Sequence, residues 1–264
     1  MLRSMYSGIS GMKNFQTKLD VIGNNIANVS TSGFKKGRVT FQEMMSQTTA
    51  SGQAATATRG GKNASQVGLG SQQGTIDNIH TQGFRQTTNN PLDLSIQGDG
   101  YFAVEANGET FYTRAGNFYL DNQGYVVNAD GMYLQTVDGE RIEIPDDVQS
   151  FNILTDGTVE YIDAGGERQN AGQIAIANFS NPSGLVKDGN NLYRESGSSG
   201  PAALVAPESD QSKSSIISNS LEMSNVDLAE EFTEMITAQR GFQANTRIIT
   251  TSDEILQEMV NLKR

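Results

Sequence analysis

Helical periodicity marks both ends of this chain and almost nothing between them. Apolar residues recur at steps of three and four through Met5, Ile9, Met12, Phe15, Leu19, Ile22, Ile26 and Val29. That is one helix face, spaced close to the 3.5-residue repeat of a coiled coil. A second stripe runs from residue 226 to 262 through Leu228, Phe232, Met235, Phe242, Ile249, Leu256 and Val260. The middle is turn-rich and strand-like. The pattern predicts an α plus all-β chain. Its discontinuous helical coiled-coil domain spans residues 1–33 and 223–264, an extended linker or loop 34–75, and a central β-rich domain 76–222. Gly8, Gly11 and Gly23 each weaken the first helix by roughly 1 kcal/mol relative to Ala. Neither helix is expected to stand alone, so what each packs against is the route to function.

The helix ends carry their own signals. The run from Asn24 to Gly33 closes the first helix, because Asn and Gly tolerate left-handed backbone and Ser and Thr favour turns. Ser224 or Asn225 is placed to cap the second, with Asp227, Glu230 and Glu231 at the positive end of its dipole and Lys263 and Arg264 at the other. Charge separates as well. Residues 1–45 hold six basic residues against two acids, and residues 224–264 hold four against seven. Opposite signs favour pairing of the two ends, within one chain or between copies.

Residues 46–75, rich in Ser, Thr, Gly, Ala and Gln, read as loop, as do residues 196–215. Residues 92–178 read as a β meander. Strand candidates are separated by Asn107-Gly108, Asn122-Gln123-Gly124, Asp130-Gly131, Asp138-Gly139, Asp156-Gly157 and Gly165-Gly166.

The chain has 264 residues, no Cys and no Trp, and a net charge of −11. That excludes disulfides and thiol chemistry and argues against nucleic acid as a partner. No apolar run is long enough for a membrane helix, and the first residues lack a secretory h-region. The one histidine, His80, has no second ligand for zinc and reads as a surface or loop residue. No phosphate loop or nucleophile elbow is present. The reading is of a non-enzyme with no catalytic, metal or cofactor site and no small-molecule substrate.

Three stretches carry a specific resemblance. They are Leu19–Lys35 with Asn24-Asn25-Ile26-Ala27-Asn28 and Ser32-Gly33-Phe34-Lys35, then Leu92–Phe102 followed by Tyr112–Phe118, then Ser224–Phe232 with Met235–Phe242. In this order they resemble the signatures of bacterial flagellar rod and hook proteins, and they cover most of the chain. The resemblance implies a helical homopolymer around an export channel, with the terminal helices lining a tube and the β-rich part outside. It implies passage through the flagellar type III apparatus without a cleaved signal. Neighbouring rod, hook-cap and hook–filament junction proteins are the implied partners. Met5, Ile9, Met12, Leu19, Ile22, Ile26, Phe232, Ile236, Phe242, Ile249 and Leu256 are the expected subunit-interface residues. Asn24, Asn25, Asn28, Gly33 and Phe34 are the signature and turn residues. The ends are expected to be disordered in a monomer and to fold on assembly.

Within the family, residues 1–12, Val67-Gly68-Leu69-Gly70 and the ending 253–262 look most like a compact Bacillus-type hook subunit, a flexible universal joint outside the envelope. A distal rod subunit of the basal body is the alternative. A secreted β-rich binding module and a carboxylate hydrolase are the alternatives from other classes.

Overall fold

The computed structural model describes residues 2–56, 58–145, 148–209 and 213–262. Helix α1 (Leu2–Ala27) opens the chain and α2 (Leu228–Asn261) closes it. Contacts divide the chain into two compact units. One comprises Met1–Ala27, Gly37–Asp77 and Asp227–Arg264, and the other Asn28–Lys36 and Asn78–Val226. The expected boundaries therefore move. Residues 28–36 go with the β-rich unit, and residues 37–77 go with the helices.

In the helix unit the two helices run antiparallel. Going up α1, the neighbours on α2 descend. A Cβ on Gly8 would meet Ile249, one on Gly11 would lie 3.0 Å from the Asn245 amide, and Phe15 lies against Gly241. Lys18 pairs with Glu234 at 3.0 Å, and the Asn25 amide donates to Glu231 at 3.2 Å. Whereas a Cβ on Gly23 would meet nothing within 4 Å, Gly8 and Gly11, which weaken α1 in isolation, thus lie close against α2. Gly241 does the same from the other side, because a Cβ there would stand 2.5 Å from the Phe15 ring.

Asp227, not Ser224 or Asn225, caps α2, its carboxylate accepting from the Ala229 amide at 2.8 Å. Ser224 instead accepts from Val226 N–H, and Asn225 donates to the Ile79 carbonyl at 2.8 Å. The expected basic end at Lys263 and Arg264 lies outside the described residues.

The expected loop 46–75 contains strands. After β1 (Gly37–Glu43) come β2 (Ser46–Ala50), β3 (Ser65–Gly68) and β4 (Ser71–Asn78). β1 pairs with β4, and β2 pairs antiparallel with β3. Hydroxyl and amide side chains reinforce the ladder: Thr49 donates to the Ser65 carbonyl at 3.0 Å, and Gln66 to Thr48 at 3.2 Å. These strands are mostly exposed, so no apolar alternation announces them.

The second unit is built of strands, with one short 3-10 turn at Pro182–Gly184. Its first strands are β5 (Arg85–Thr87), β6 (Leu94–Gln97), β7 (Tyr101–Ala106), β8 (Glu109–Thr113), β9 (Phe118–Leu120), β10 (Val126–Asn128) and β11 (Tyr133–Leu134). Next come β12 (Ser150–Ile153), β13 (Thr158–Ile162), β14 (Arg168–Gln173) and β15 (Ile176–Asn178). Last are β16 (Val186–Gly189), β17 (Leu192–Arg194), β18 (Ala203–Val205), β19 (Ser215–Ser218) and β20 (Ser220–Glu222). β18 falls in a stretch expected to be loop.

The main sheet orders β16-β17-β8-β7-β11-β10-β9, with β15 joining β7 to β18. β12-β13-β14 form a second sheet, while β19 pairs with β6 and β20 with β5. Asn107-Gly108 makes the predicted two-residue turn between β7 and β8, both residues at positive φ (54° and 84°), as a type I′ hairpin requires.

β7 sits at the centre and is buried on both faces. Phe102 and Val104 join a core with Leu94, Ile96, Phe118 and Ile176, whereas Tyr101 and Ala103 face Tyr112, Leu185 and Tyr193. This is the two-residue side-chain period of a strand covered on both sides.

Candidate functional site

Three of the signature residues, Asn28, Gly33 and Phe34, lead to a charge junction in the β-rich unit. The backbone leaving α1 turns at Asn28, whose carbonyl accepts from Thr31 N–H at 3.2 Å and whose side chain accepts from the Thr31 hydroxyl. Gly33 then adopts φ +70°, and a Cβ there would lie 2.4 Å from the Ala115 nitrogen. Only glycine fits both the left-handed backbone and the close approach. Its N–H donates to the Glu222 carbonyl at 2.8 Å. Phe34 is buried beneath the Lys187 ammonium, which lies 4.9 Å from the ring centroid.

Lys35 follows, and it is almost completely buried. Its ammonium donates to Glu222 Oε1 at 2.7 Å and to the Thr81 carbonyl at 2.8 Å. Arg114, at the end of β8, reaches the other oxygen of the same carboxylate at 2.9 Å. Its guanidinium also donates to the carbonyls of Ile96 and Gly98 and faces the Tyr101 ring. Glu222, at the end of β20, further accepts from Gly83 N–H at 2.9 Å. One carboxylate thus ties two cations in a site where all three side chains are 1–3% exposed. Burial pushes the Lys35 ammonium below its ordinary pKa, and Glu222 pulls it back up. A buried pair of this kind adds little net stability over apolar packing. Removing one partner is costly, because the remaining charge stays buried and unmatched.

Beside the junction, His80 Nδ1 and the Tyr101 hydroxyl are hydrogen-bonded, and Tyr193 meets the His80 ring edge-on and the Tyr101 ring at a tilt. Burial, with Lys35, Lys187 and Arg114 nearby, lowers the His80 pKa to about 4. Burial also raises Tyr101, and pushes Tyr193 up to about 12. His80 is therefore a neutral member of an aromatic cluster: it lies in the loop after β4, as one half of the expectation had it, but is half-buried and not on the surface. The junction chemistry is that of a clamp: charges matched to carbonyls and a carboxylate.

In the helix unit, Asn25 is buried and grips Gly37 through both backbone groups at 2.9 Å each, while Asn24 is exposed on the helix. Neither forms the turn after α1; both are still helical, because the helix runs to Ala27. Of the expected interface residues, Ile22 is buried within the chain. Met5, Ile9, Met12, Leu19, Ile26, Phe242, Ile249 and Leu256 are half-buried. Phe232 and Ile236 are 50% and 51% exposed and, with Leu228, mark every fourth position of one face.

The sequence reading missed Lys35, Arg114 and Glu222 as a unit. The available signal was a charged residue inside an otherwise small or apolar stretch for Arg114, before Ala115-Gly116, and for Glu222, after Ser220-Leu221; Lys35, followed by Lys36 and Arg38, gave none.

Helices from the two chain ends, paired in one unit, and a β-rich insert whose ends are tied by buried charges define a helix-flanked β-insert protein. Three family models match these same regions. "Flagella basal body rod protein" matches residues 5–35, "Flagellar hook protein FlgE/F/G D1 domain" residues 95–161, and "Flagellar basal body rod FlgEFG protein C-terminal" residues 217–262. The flagellar basal-body rod protein FlgG of Bacillus subtilis (strain 168) is 61% identical over 264 residues, covering both chains completely. FlgG of Borreliella burgdorferi is 36% identical over 269 residues, again covering both completely. The flagellar hook protein FlgE of the same organism is 29% identical over 442 aligned positions, with both chains covered.

The chain belongs to the flagellar rod and hook protein family. Within it, the comparisons favour the rod over the hook that the sequence motifs suggested. The rod alignments run at this chain's own length, whereas the hook alignment needs long stretches that this chain lacks. Motifs at the two ends could not separate them, because rods and hooks share the parts those motifs encode.

Proposed function

We propose that this chain is a distal rod subunit of the flagellar basal body, a non-catalytic protein that assembles with copies of itself through its terminal helices. The observation that carries the assembly reading is the face of α2 bearing Leu228, Phe232 and Ile236. It is apolar at helical spacing and stays exposed although α2 is already paired with α1. A face of that kind is stabilised by a further surface. The rod-length relatives support the choice of rod.

On this reading the inner helices line a tube as a coiled-coil-like layer, and Met5, Ile9, Met12, Leu19, Ile26, Phe232, Ile236, Phe242, Ile249 and Leu256 bury against neighbouring copies, while Ile22 is already covered within its own chain. Other rod proteins are further neighbours, and the type III apparatus exports the chain without a cleaved signal. Hook-cap and hook–filament junction partners belong to the hook alternative. No described helix is long and apolar enough to cross a membrane.

The missing cysteines provide the test. Ser198 is exposed, so Ser198→Cys offers one thiol to a membrane-impermeant maleimide dye. A rod subunit leaves intact cells dark and labels on isolated basal bodies. Discrete spots on living cells, at the bases of flagella, would reinstate the hook.

A further inference from the structure

The two units differ in charge as sharply as in architecture. The helix unit holds ten basic and ten acidic residues and is neutral overall. The β-rich unit holds nine basic residues against twenty acids, so the whole net charge of −11 belongs to it.

The cations of the β-rich unit do little to offset this at its surface. Lys35 and Arg114 are buried on Glu222. Arg141 pairs with Glu105 at 3.6 Å, and Arg194 lies 3.5 Å from Glu109 and 3.3 Å from Asp188. Asp138, Glu140, Glu143 and Glu167 are exposed, and no hydrogen bond or ion pair engages their carboxylates among the described residues. In the helix unit, by contrast, Lys18 pairs with Glu234 and Arg38 with Asp77, and the half-exposed face of α2 is apolar.

Assembly through the helices therefore meets an electrostatic opposition that the helices do not create. The units are joined by the peptide bonds at 27–28, 36–37, 77–78 and 226–227, with no linker between them. Copies that meet through their neutral units must carry their anionic units into the same neighbourhood. Like charges repel in proportion to the product of the charges, and a large net charge keeps a protein soluble and monomeric. Salt shortens the reach of that repulsion, from about 20 Å at about 20 mM to about 6 Å at about 300 mM.

We infer that the β-rich unit is an electrostatic brake on self-assembly, released by counterions. Copies stay apart at low ionic strength whatever their helix faces gain by meeting, and they associate once cations screen the β-rich units. The charge acts as a whole and needs no cation-binding pocket. The inference rests on the self-assembly reading and adds to it a control on when copies join.

Sedimentation of the purified full-length chain at about 20 mM and about 300 mM NaCl tests the brake. It is run beside a variant carrying Asp138→Asn, Glu140→Gln, Glu143→Gln and Glu167→Gln. These near-isosteric changes remove four of the eleven net negative charges and cut the repulsion between copies to about 40%. The critical concentration of the wild type is expected to fall about tenfold with salt, and that of the variant to start lower and fall only about two- to threefold. A variant that keeps the full tenfold response overturns the brake and assigns the salt effect to apolar surfaces. A wild type that assembles equally at both salt concentrations overturns it too. If neither chain sediments at either salt, although circular dichroism shows the β-rich unit folded, the self-assembly reading fails and the brake with it.

Discussion

Strand β7 buries Phe102 and Val104 on one face and Tyr101 and Ala103 on the other, whereas helix α2 leaves Phe232 and Ile236 half in solvent. The β-rich unit also secures residues 28–36 to its own late strands, through Gly33, Lys35 and Glu222. The helix unit secures α1 to α2 by one row of contacts, several of them made by glycine. The difference teaches that two kinds of stability coexist in this chain. The β-rich unit satisfies its charges and fills its core from within. The helix unit leaves the apolar face at Leu228, Phe232 and Ile236 uncovered within the chain.

The largest expected effect strikes the β-rich unit. Glu222→Gln keeps the shape but strands the Lys35 and Arg114 charges, at a cost of about 3–5 kcal/mol. Urea unfolding of the full-length variant should show the β transition at much lower midpoint. An unchanged midpoint would mean that the junction does not hold the unit together. Gly241→Ala is the counterpart in the helix unit. Alanine favours helix by about 1 kcal/mol, yet its methyl would overlap the Phe15 ring, and overpacking costs about 1–3 kcal/mol. Assembly should fall while the β transition stays in place. A gain in assembly would show that propensity outweighs fit there.

A smaller effect comes from His80, whose folded pKa of about 4 lies below the ordinary 6.5. Between those values the unfolded chain binds the extra proton, so stability is level above pH 6.5 and declines as pH falls towards 4. His80→Gln should flatten that part of the melting-temperature profile, and an unaltered slope would assign it to other groups. Smallest in stability is Ile236→Ser, at a half-exposed position. Its unfolding should shift by no more than about 0.5 kcal/mol, while sedimentation and rods per cell should register the loss of an assembling face. Equal assembly by wild type and variant would remove Ile236 from the interface.

How much of this was legible in the sequence follows the range of the forces involved. Hairpin turns such as Asn107-Gly108 were visible because their backbone demand is local. The helices were visible because their stripes repeat. Strands β1 to β4 were not, because Ser, Thr and Gln there pair through backbone and hydroxyl groups with little burial to impose a pattern. Lys35 and Arg114 stood inside the signature stretches and Glu222 outside them, and only the fold reveals that the three share one dry site. Asp227 competed with Ser224 and Asn225 as a cap, and tertiary bonds to Asn225 decided it. The choice between hook and rod was not legible in the motifs, which belong to the parts both share.

The salt bridge between Lys35 and Glu222 joins residues 187 positions apart. Closing so long a loop costs entropy before any contact repays it. The junction therefore acts as a clock on the polypeptide: however the first two hundred residues arrange themselves, it cannot lock until Glu222 is present. A chain delivered amino end first would stay pliable through most of its passage and set only near its completion.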